Sequence, residues 1–127
     1  MKYYKCSRCG NILAVIEDGD AVPECCQKTM DLLKSSPQDD AHMIMIDEKD
    51  VSLDTKKVRV CIGKDKLHPM DTHHLINFIT LITDKGNYTH FFKPGNIPCA
   101  KFFINIDEKI LAINLYCNVH GLYELNK

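Results

Sequence analysis

The chain has 127 residues, of which 45% are hydrophobic and 26% charged, a composition typical of a folded globular protein with one sizeable core. Sixteen basic and seventeen acidic residues give a net charge of −1, which argues against nucleic acid or an anionic membrane surface as partner, because both attract clustered positive charge. No apolar run is long enough to span a bilayer, and the first residues lack a signal-peptide core. We therefore expect a cytoplasmic protein.

The cysteine content is the unusual feature of this composition. The chain has seven Cys and six His. An intracellular compartment keeps thiols reduced, so metal binding is the leading explanation for this many cysteines. The two residue types form two clusters, one in the N-terminal part of the chain and one further on.

The N-terminal cluster lies in residues 1–36, which hold few apolar side chains and cannot bury a core of their own. Cys6-Ser-Arg-Cys9 is a C-x2-C knuckle, and Cys25 and Cys26 follow as an adjacent pair. Four thiolates form a tetrahedral shell that suits zinc or iron equally. The spacing predicts a metal site, and on these residues alone a closed structural zinc site is as well supported as iron.

A polar stretch at 34–40 predicts a linker, with the domain boundary near Pro37. Residues 37–127 alternate β-branched and aromatic runs with turn signals, which predicts six or seven strands in an immunoglobulin-like β-sandwich. The fold class is therefore mainly β, and at 75–83 a helix is the second choice because the run is long enough for one. Strands are expected at 57–62, 75–83, 88–92, 99–105, 109–116 and 122–125.

The second cluster combines histidines with one cysteine. His68 and His74 are six residues apart, so an extended segment would return both side chains to one side, and Pro69 biases His68 towards an extended backbone. Near the C-terminus, Cys117 and His120 share one tight turn. Each feature is weak alone, but together they favour a second metal site.

The remaining candidates have simpler interpretations. We expect His73 to point away from His74, and His90 to be a cross-strand neighbour within a strand. Cys61 and Cys99 match no ligand motif and are interpreted as strand thiols, which could oxidise if exposed. Four further side chains are expected in the hydrophobic core: Met43, Met45, Phe102 and Phe103.

The N-terminal motif, Tyr4-Lys-Cys6-Ser-Arg-Cys9-Gly-Asn-Ile12 followed by Cys25-Cys26, resembles desulforedoxin. A second group of segments resembles the neelaredoxin module: His68-Pro-Met, His74-Leu-Ile, Phe92-Lys-Pro-Gly95 and Tyr116-Cys-Asn-Val-His-Gly121. Joined in one chain, the two parts resemble the desulfoferrodoxin family of two-iron superoxide reductases over nearly the whole length.

This resemblance implies two irons per chain, one Fe(Cys)4 centre in domain 1–36 and one Fe(His)4Cys centre in domain 37–127. The four N-terminal cysteines would hold the first iron. The second would have four equatorial nitrogens and an axial sulfur, from His42, His68, His74, His120 and Cys117. Before His42 the family usually has Glu-Lys, whereas this chain has Asp40 and Ala41, so Asp40 is the candidate for the family's carboxylate and the family's lysine is absent.

The implied activity is one-electron reduction of superoxide to hydrogen peroxide at the second iron, which has one open position. Rubredoxin or a similar small donor would return the electron, and desulforedoxin-like domains imply a homodimer. Two alternatives remain: an electron-transfer protein in which both irons cycle without substrate, and a zinc-bound interaction module without redox function. An electron carrier would have a filled second site that does not bind azide or cyanide, whereas a reductase would bind them. A zinc module would be colourless, whereas an iron protein would be coloured.

Overall fold

The computed structural model describes all of residues 1–127, and strands and turns make up the chain apart from one 3-10 helix at Asp40–His42. Its residues group into two compact units, Met1–Lys34 and Ser35–Lys127. No helix has the length and apolar character needed to cross a membrane. The mainly β class expected from the sequence is confirmed.

The first unit is small and contains five short strands. They are β1 (Tyr3–Lys5), β2 (Ile12–Ala14), β3 (Glu24–Cys25), β4 (Lys28–Thr29) and β5 (Asp31–Leu32). Strand β1 pairs antiparallel with β2 and with β5, and β3 pairs with β4 as a separate hairpin. Its buried cluster consists of Tyr4, Cys6 and Met30, which is too little apolar burial to stabilise the unit unaided.

The second unit is a sandwich of two antiparallel sheets. Its strands are β6 (Ile44–Asp50), β7 (Thr55–Ile62), β8 (Ile76–Thr83), β9 (Asn87–Phe91), β10 (Cys99–Asn105), β11 (Ile110–Cys117) and β12 (Gly121–Asn126). One sheet has the order β10-β7-β6 and the other β12-β11-β8-β9. Every strand expected from the sequence is present within a few residues, and the helix considered at 75–83 is instead strand β8.

The core lies between the two sheets. In β7 the alternation predicted from the sequence is confirmed, because Val58, Val60 and Ile62 are fully buried and Arg59 is exposed. Strand β8 is apolar on both faces and is buried along most of its length in the middle of its sheet. Each such aliphatic side chain contributes about 1.5–3 kcal/mol when it is fully buried, so apolar burial is the main source of stability within the sandwich.

The predicted core is wrong at two positions. Phe102 is buried as expected, but its neighbour Phe103 is 60% exposed, and Met45 is 43% exposed. Successive side chains of a strand point to opposite faces, so one residue of each adjacent apolar pair must face outwards. Met43 is half-buried where the 3-10 helix ends.

Cys61 and Cys99 lie on strands as expected, but they are not free thiols. These residues lie directly opposite each other on β7 and β10, with their Cα atoms 4.1 Å apart, and they form a disulfide. The two cysteines are 38 residues apart in sequence. Pairing between strands that distant depends on tertiary register, which composition and alternation do not define.

Candidate metal centres

The four N-terminal cysteines come together in the first unit. Their Sγ atoms all lie within 4.8 Å of one another. The Cys9 and Cys25 sulfurs are 3.5 Å apart, and those of Cys25 and Cys26 are 3.9 Å apart. A tetrahedral ion with bonds of about 2.3 Å to sulfur needs sulfurs about 3.8 Å apart, so the cluster fits such an ion.

Two turns create this cluster. In the knuckle, the Cys9 backbone N–H donates to Cys6 Sγ at 3.5 Å. The adjacent pair is accommodated by the two-residue turn between β3 and β4, in which Cys26 has φ 53° and Gln27 has φ 60°. Positive φ at both positions is the backbone of a type I′ hairpin turn. Cys25 ends a strand while Cys26 belongs to the turn, and this bend lets two neighbouring residues supply sulfur to one ion.

The local hydrogen bonds lower the pKa of one thiol, Cys6, and raise the pKa of two others, Cys25 and Cys26. The backbone N–H of Cys9 is the main cause that lowers the pKa of Cys6 to about 6. The thiol of Cys9 is the main cause that raises the pKa of Cys26 to about 12, and the same neighbour raises the pKa of Cys25. A metal ion that binds all four sulfurs must therefore displace protons from Cys25 and Cys26.

We expect metal affinity at this site to fall as pH falls, because protons compete with the ion for thiols whose pKa is raised to as high as about 12. The expected loss is about tenfold per pH unit for each proton released. Chelator competition with zinc over a pH series measures the slope. Cys26→Ser removes one titrating thiol and should reduce the slope by one proton; an affinity independent of pH would contradict this account.

The histidine cluster comes together in the second unit, where donor atoms of His42, His68, His74 and Cys117 all lie within 4.8 Å of one another. His120 closes a ring of imidazoles: its centroid is 4.9 Å from that of His42 and 5.2 Å from that of His74. The other two neighbouring pairs, His42–His68 and His68–His74, are 4.8 and 4.7 Å apart. All five proposed ligands of the second iron therefore meet in one place.

Cys117 is the sulfur of this cluster and the last residue of β11. Its Sγ lies 3.5 Å from His68 Nε2 and 3.7 Å from His120 Nδ1. Cys117 is completely buried, and His42 and His68 are almost completely buried. His120, in contrast, is exposed in the turn between β11 and β12. The thiol thus belongs to the core side of the cluster, and one imidazole reaches solvent.

Unpaired ring nitrogens show that this cluster fits a metal. Nε2 of His42 and Nε2 of His74 are buried and have no hydrogen-bond partner, a condition that costs about 1–3 kcal/mol per group unless an ion or water satisfies it. The Nδ1 atoms of His42 and His68 lie 2.8 Å from Asp39 Oδ1 and 2.7 Å from the Pro69 carbonyl. These contacts leave Nε2 free to bind, as in most metal-ligating histidines.

Burial also keeps His68 in the form that binds metal. Desolvation is the largest cause that lowers the pKa of His68, and the rings of His42, His74 and His120 lower it further. A lowered pKa favours the neutral imidazole at neutral pH, and only a neutral imidazole has a lone pair to donate. Neutral nitrogens with one thiolate form a donor set of the kind that suits iron.

The loop that carries His74 differs from the extended segment expected. Residues 71–74 form bends rather than a strand. Asp71 Oδ1 accepts hydrogen bonds from the backbone N–H groups of His73 and His74, and Asn118 anchors the same loop through the His73 carbonyl and the Leu75 N–H. His68 and His74 do meet, but a capped turn brings them together. His73 is exposed, as predicted.

The family can now be assigned. The family model described as Desulfoferrodoxin matches residues 34–126, and the model described as Desulfoferrodoxin, N-terminal domain matches residues 1–33. The chain belongs to the desulfoferrodoxin family. It is 39% identical over 121 residues to a desulfoferrodoxin from Nitratidesulfovibrio vulgaris, covering 93% of this chain and 90% of that protein.

Two further relatives are named superoxide reductase. The protein from Pyrococcus horikoshii is 32% identical over 84 residues, covering 56% of this chain and 72% of its own length. The crystal structure of the enzyme from Treponema pallidum has a TM-score of 0.76 at 18% identity, covering 98% of this chain and 96% of that one. The latter likeness supports the fold. The four-cysteine and histidine-cysteine sets match the two iron centres expected of a desulfoferrodoxin.

Asp39 and Tyr123 are neighbours of the second site that the sequence analysis missed. Asp39 caps the 3-10 helix and accepts from both the backbone N–H and the ring of His42, each at 2.8 Å. Tyr123 stacks on the His42 ring at 4.2 Å, and its hydroxyl donates to Asp39 at 3.4 Å. An acidic residue three positions before a candidate ligand is a capping signal that could have identified Asp39.

The charge of Asp39 is stabilised by these contacts. Partial burial acts to raise the pKa of Asp39, but the hydrogen bonds from the His42 ring and backbone outweigh it and hold the pKa below its usual value. A carboxylate that orients a ligand imidazole also increases its basicity. Asp39 therefore holds the His42 ring in one orientation.

Asp39→Ala is expected to weaken metal binding at the second site by about 10–100-fold, because His42 loses the partner that fixes its ring. Metal content and chelator competition measure this loss. The matched control is Asp40→Ala, which removes an adjacent exposed carboxylate without a contact to His42 and should change little. Equal losses in the two variants would show that Asp39 does not orient the ligand.

Asp40 faces a surface recess instead. The recess has a volume of about 310 Å³ and is lined by Asp40, Ala41, Asp65 and Lys66. The Lys64 N–H donates to the Asp40 carbonyl at 2.9 Å, which holds the loop after β7 against the 3-10 helix. Lys66 is the single basic residue of the recess, and Ala41, at the position where the family usually has lysine, lines the same recess.

His90 belongs to neither cluster. It lies on β9 opposite Ile79 and its ring is 4.6 Å from that of Phe92. The cross-strand position predicted for it is confirmed.

Proposed function

We propose that this chain is a superoxide reductase, which reduces superoxide by one electron to hydrogen peroxide. The observation that carries this proposal is the closed ring of four imidazoles with one buried thiol, in which two buried Nε2 atoms have no partner. The relative from Pyrococcus horikoshii that is named superoxide reductase supports the same activity.

We assign the ligands by the clusters in which they lie. Those of the first iron are Cys6, Cys9, Cys25 and Cys26, and those of the second are His42, His68, His74, His120 and Cys117. Domains of 1–36 and 37–127 follow the same division, and the limits of the compact units and of the family matches near residue 34 support it.

Iron held by these ligands would supply the electron that superoxide accepts. The protein contributes the arrangement around it. Cys117 is buried on the core side and supplies an electron-rich sulfur, while Asp39 and Tyr123 hold the His42 ring in one orientation. These five residues would hold the iron, and the exposed side of the cluster at His120 would give a small anion access to it.

Charge in the recess is expected to set the rate at which superoxide associates. The recess has one lysine and two aspartates, so Ala41→Lys should raise the second-order rate constant about tenfold at low ionic strength, with the gain reduced by salt. Pulse radiolysis measures this rate. Lys66→Ala should lower it. Lys49→Ala serves as control, because Lys49 does not line the recess and lies about 17 Å by strand rise beyond the start of β6 at Ile44.

A second outcome for these variants would assign the positive charge to Lys66. If Ala41→Lys brings no gain whereas Lys66→Ala brings a clear loss, the charge has been relocated to Lys66. The inference that a function is missing at Ala41 would then be wrong.

The activity itself is tested by product stoichiometry on anaerobically purified, iron-loaded protein. A reductase supplied with a small electron donor forms one hydrogen peroxide per superoxide and no oxygen. A dismutase forms half as much peroxide and releases oxygen, and an electron carrier or a zinc module forms no peroxide above the spontaneous rate. Either of the last two results would overturn the proposal.

We further propose a cytoplasmic homodimer that receives electrons from rubredoxin or a similar small iron protein. Five unpaired cysteines support a compartment that keeps thiols reduced. The exposed sulfurs of Cys9 and Cys26 offer an entry point for electrons. Three exposed apolar side chains of the first unit, Leu13, Ile16 and Leu32, support association in pairs. Sedimentation as a monomer at micromolar concentration would contradict the dimer.

A further inference from the structure

The disulfide between Cys61 and Cys99 belongs to neither metal cluster. It joins opposite residues of β7 and β10 with Cα atoms 4.1 Å apart. The other five cysteines are unpaired, and all of them lie in the two clusters. One oxidised pair thus coexists with five thiols in a protein proposed for a reducing compartment, which points to a bond that opens and closes.

The surroundings of the pair distinguish its two sulfurs. Cys99 is half-buried and so remains accessible, whereas Cys61 is only 9% exposed. The guanidinium of Arg59 donates to Cys99 Sγ at 3.6 Å. A neighbouring positive charge favours the thiolate, which is the form of cysteine that reacts with peroxides. Cys99 is therefore suited to react first, and Cys61 to close the bond.

Backbone hydrogen bonds connect the strands of this pair to the segment that carries His68, a proposed ligand of the second iron. Cys61 precedes Ile62, whose carbonyl accepts from the His68 N–H at 2.9 Å and whose own N–H donates to Pro98 at 3.0 Å. Ile62 therefore links both cysteines to His68: it follows Cys61 in the chain, and it is hydrogen-bonded to Pro98, the residue before Cys99.

We propose that Cys61 and Cys99 form a reversible dithiol that reduces hydrogen peroxide and closes to the disulfide. The supply of peroxide rests on the proposed function, whereas the reaction of the pair does not. It would give the chain a second activity that consumes the product of the first.

The chemistry balances in two steps. The Cys99 thiolate attacks one oxygen of hydrogen peroxide, so that an S–O bond forms, the O–O bond breaks, and hydroxide leaves and takes up a proton to become water. The Cys61 sulfur then attacks the sulfenic sulfur of Cys99, so that the S–S bond forms and the second oxygen leaves as water. The dithiol loses two electrons and two protons, peroxide becomes two waters, and a small-molecule dithiol such as dithiothreitol restores the pair.

The test uses the full iron-loaded chain. The protein is reduced with dithiothreitol without oxygen, the reductant is removed, hydrogen peroxide is added below one equivalent, and free thiols are alkylated before trypsin digestion. Lys64 and Lys85 place the two cysteines in different peptides, so mass spectrometry detects the disulfide as a linked pair. We expect one link per peroxide consumed, at least about tenfold faster than in urea, because the folded sheet holds the second thiol opposite the first.

Two variants and one internal standard assign the roles. Cys61→Ser should stop after the first step and yield a dimedone adduct at Cys99, whereas Cys99→Ser should yield almost none at Cys61. Met45, exposed opposite Cys61 on β6, reports indiscriminate oxidation and should remain unmodified. A disulfide that resists dithiothreitol in the folded protein, or closure no faster than in urea, would overturn the proposal.

A parallel reaction separates this proposal from the proposed function. Superoxide replaces peroxide, with and without catalase. The links are counted per superoxide added. One link per superoxide, suppressed by catalase, supports both proposals. Half a link per superoxide, which is the yield of spontaneous dismutation, would support the dithiol and overturn the reductase.

Discussion

Replacing Cys117 by serine is expected to abolish superoxide reduction while the β-sandwich stays folded. Cys117 ends β11 with no exposed surface, and its Sγ lies 3.5 Å from His68 Nε2. Serine nearly matches its volume, but a hydroxyl oxygen is a far poorer electron donor than a thiolate. We expect the rate constant for superoxide to fall by at least about a hundredfold, measured by pulse radiolysis on protein of known iron content.

Cys25→Ser is the matched control for this variant, because it removes one sulfur from the other cluster. It should cost the first iron while superoxide reduction survives. Loss of the second iron in Cys25→Ser would show that the two centres are not independent, and an active Cys117→Ser enzyme would show that the reaction does not need the thiolate.

The sequence predicts the strands of the second unit well because their period is local. Val58, Val60 and Ile62 alternate with polar side chains, and a half-buried strand requires that pattern. The same reasoning fails at Phe103 and Met45, where two apolar residues adjoin and only tertiary contacts decide which faces the core. Periodicity thus locates a strand more reliably than it assigns each apolar side chain to a face.

The metal clusters were predictable from short motifs, whereas their supporting contacts were not. Spacing and family resemblance predict that Cys117 and His120 lie close together, and the structure places them together in the tight turn after β11. Asp40 was considered because it occupies the position of the family's carboxylate. The capping position of Asp39 can be read from the sequence, but its contact with the His42 ring is seen only in the structure. The Cys61–Cys99 bond depends on register between distant strands, and no local signal contains that information.

Gly63→Ala is expected to damage the second centre without changing any ligand. Gly63 follows β7 with φ +115°, and a Cβ there would lie 2.2 Å from the Lys66 carbonyl oxygen and 3.0 Å from the His68 N. Its N–H donates to the Met43 carbonyl at 2.9 Å, so this one residue joins the segments that carry His68 and His42. Both segments would have to move to admit a methyl group.

The cost of this change combines backbone strain with a clash against main-chain atoms, which cannot rotate away. We expect a loss of about 3 kcal/mol or more in the free energy of unfolding of the sandwich, measured by urea denaturation, and a weaker second metal site beside an intact first one. Gly95→Ala is the matched control, because Gly95 also has positive φ, at +88°, but nothing lies within 4 Å of its Cβ position. It should lose about 1 kcal/mol from strain alone. Equal losses in the two variants would mean that the loop after β7 adjusts freely, and that its close packing does not hold His68 in the ring of imidazoles.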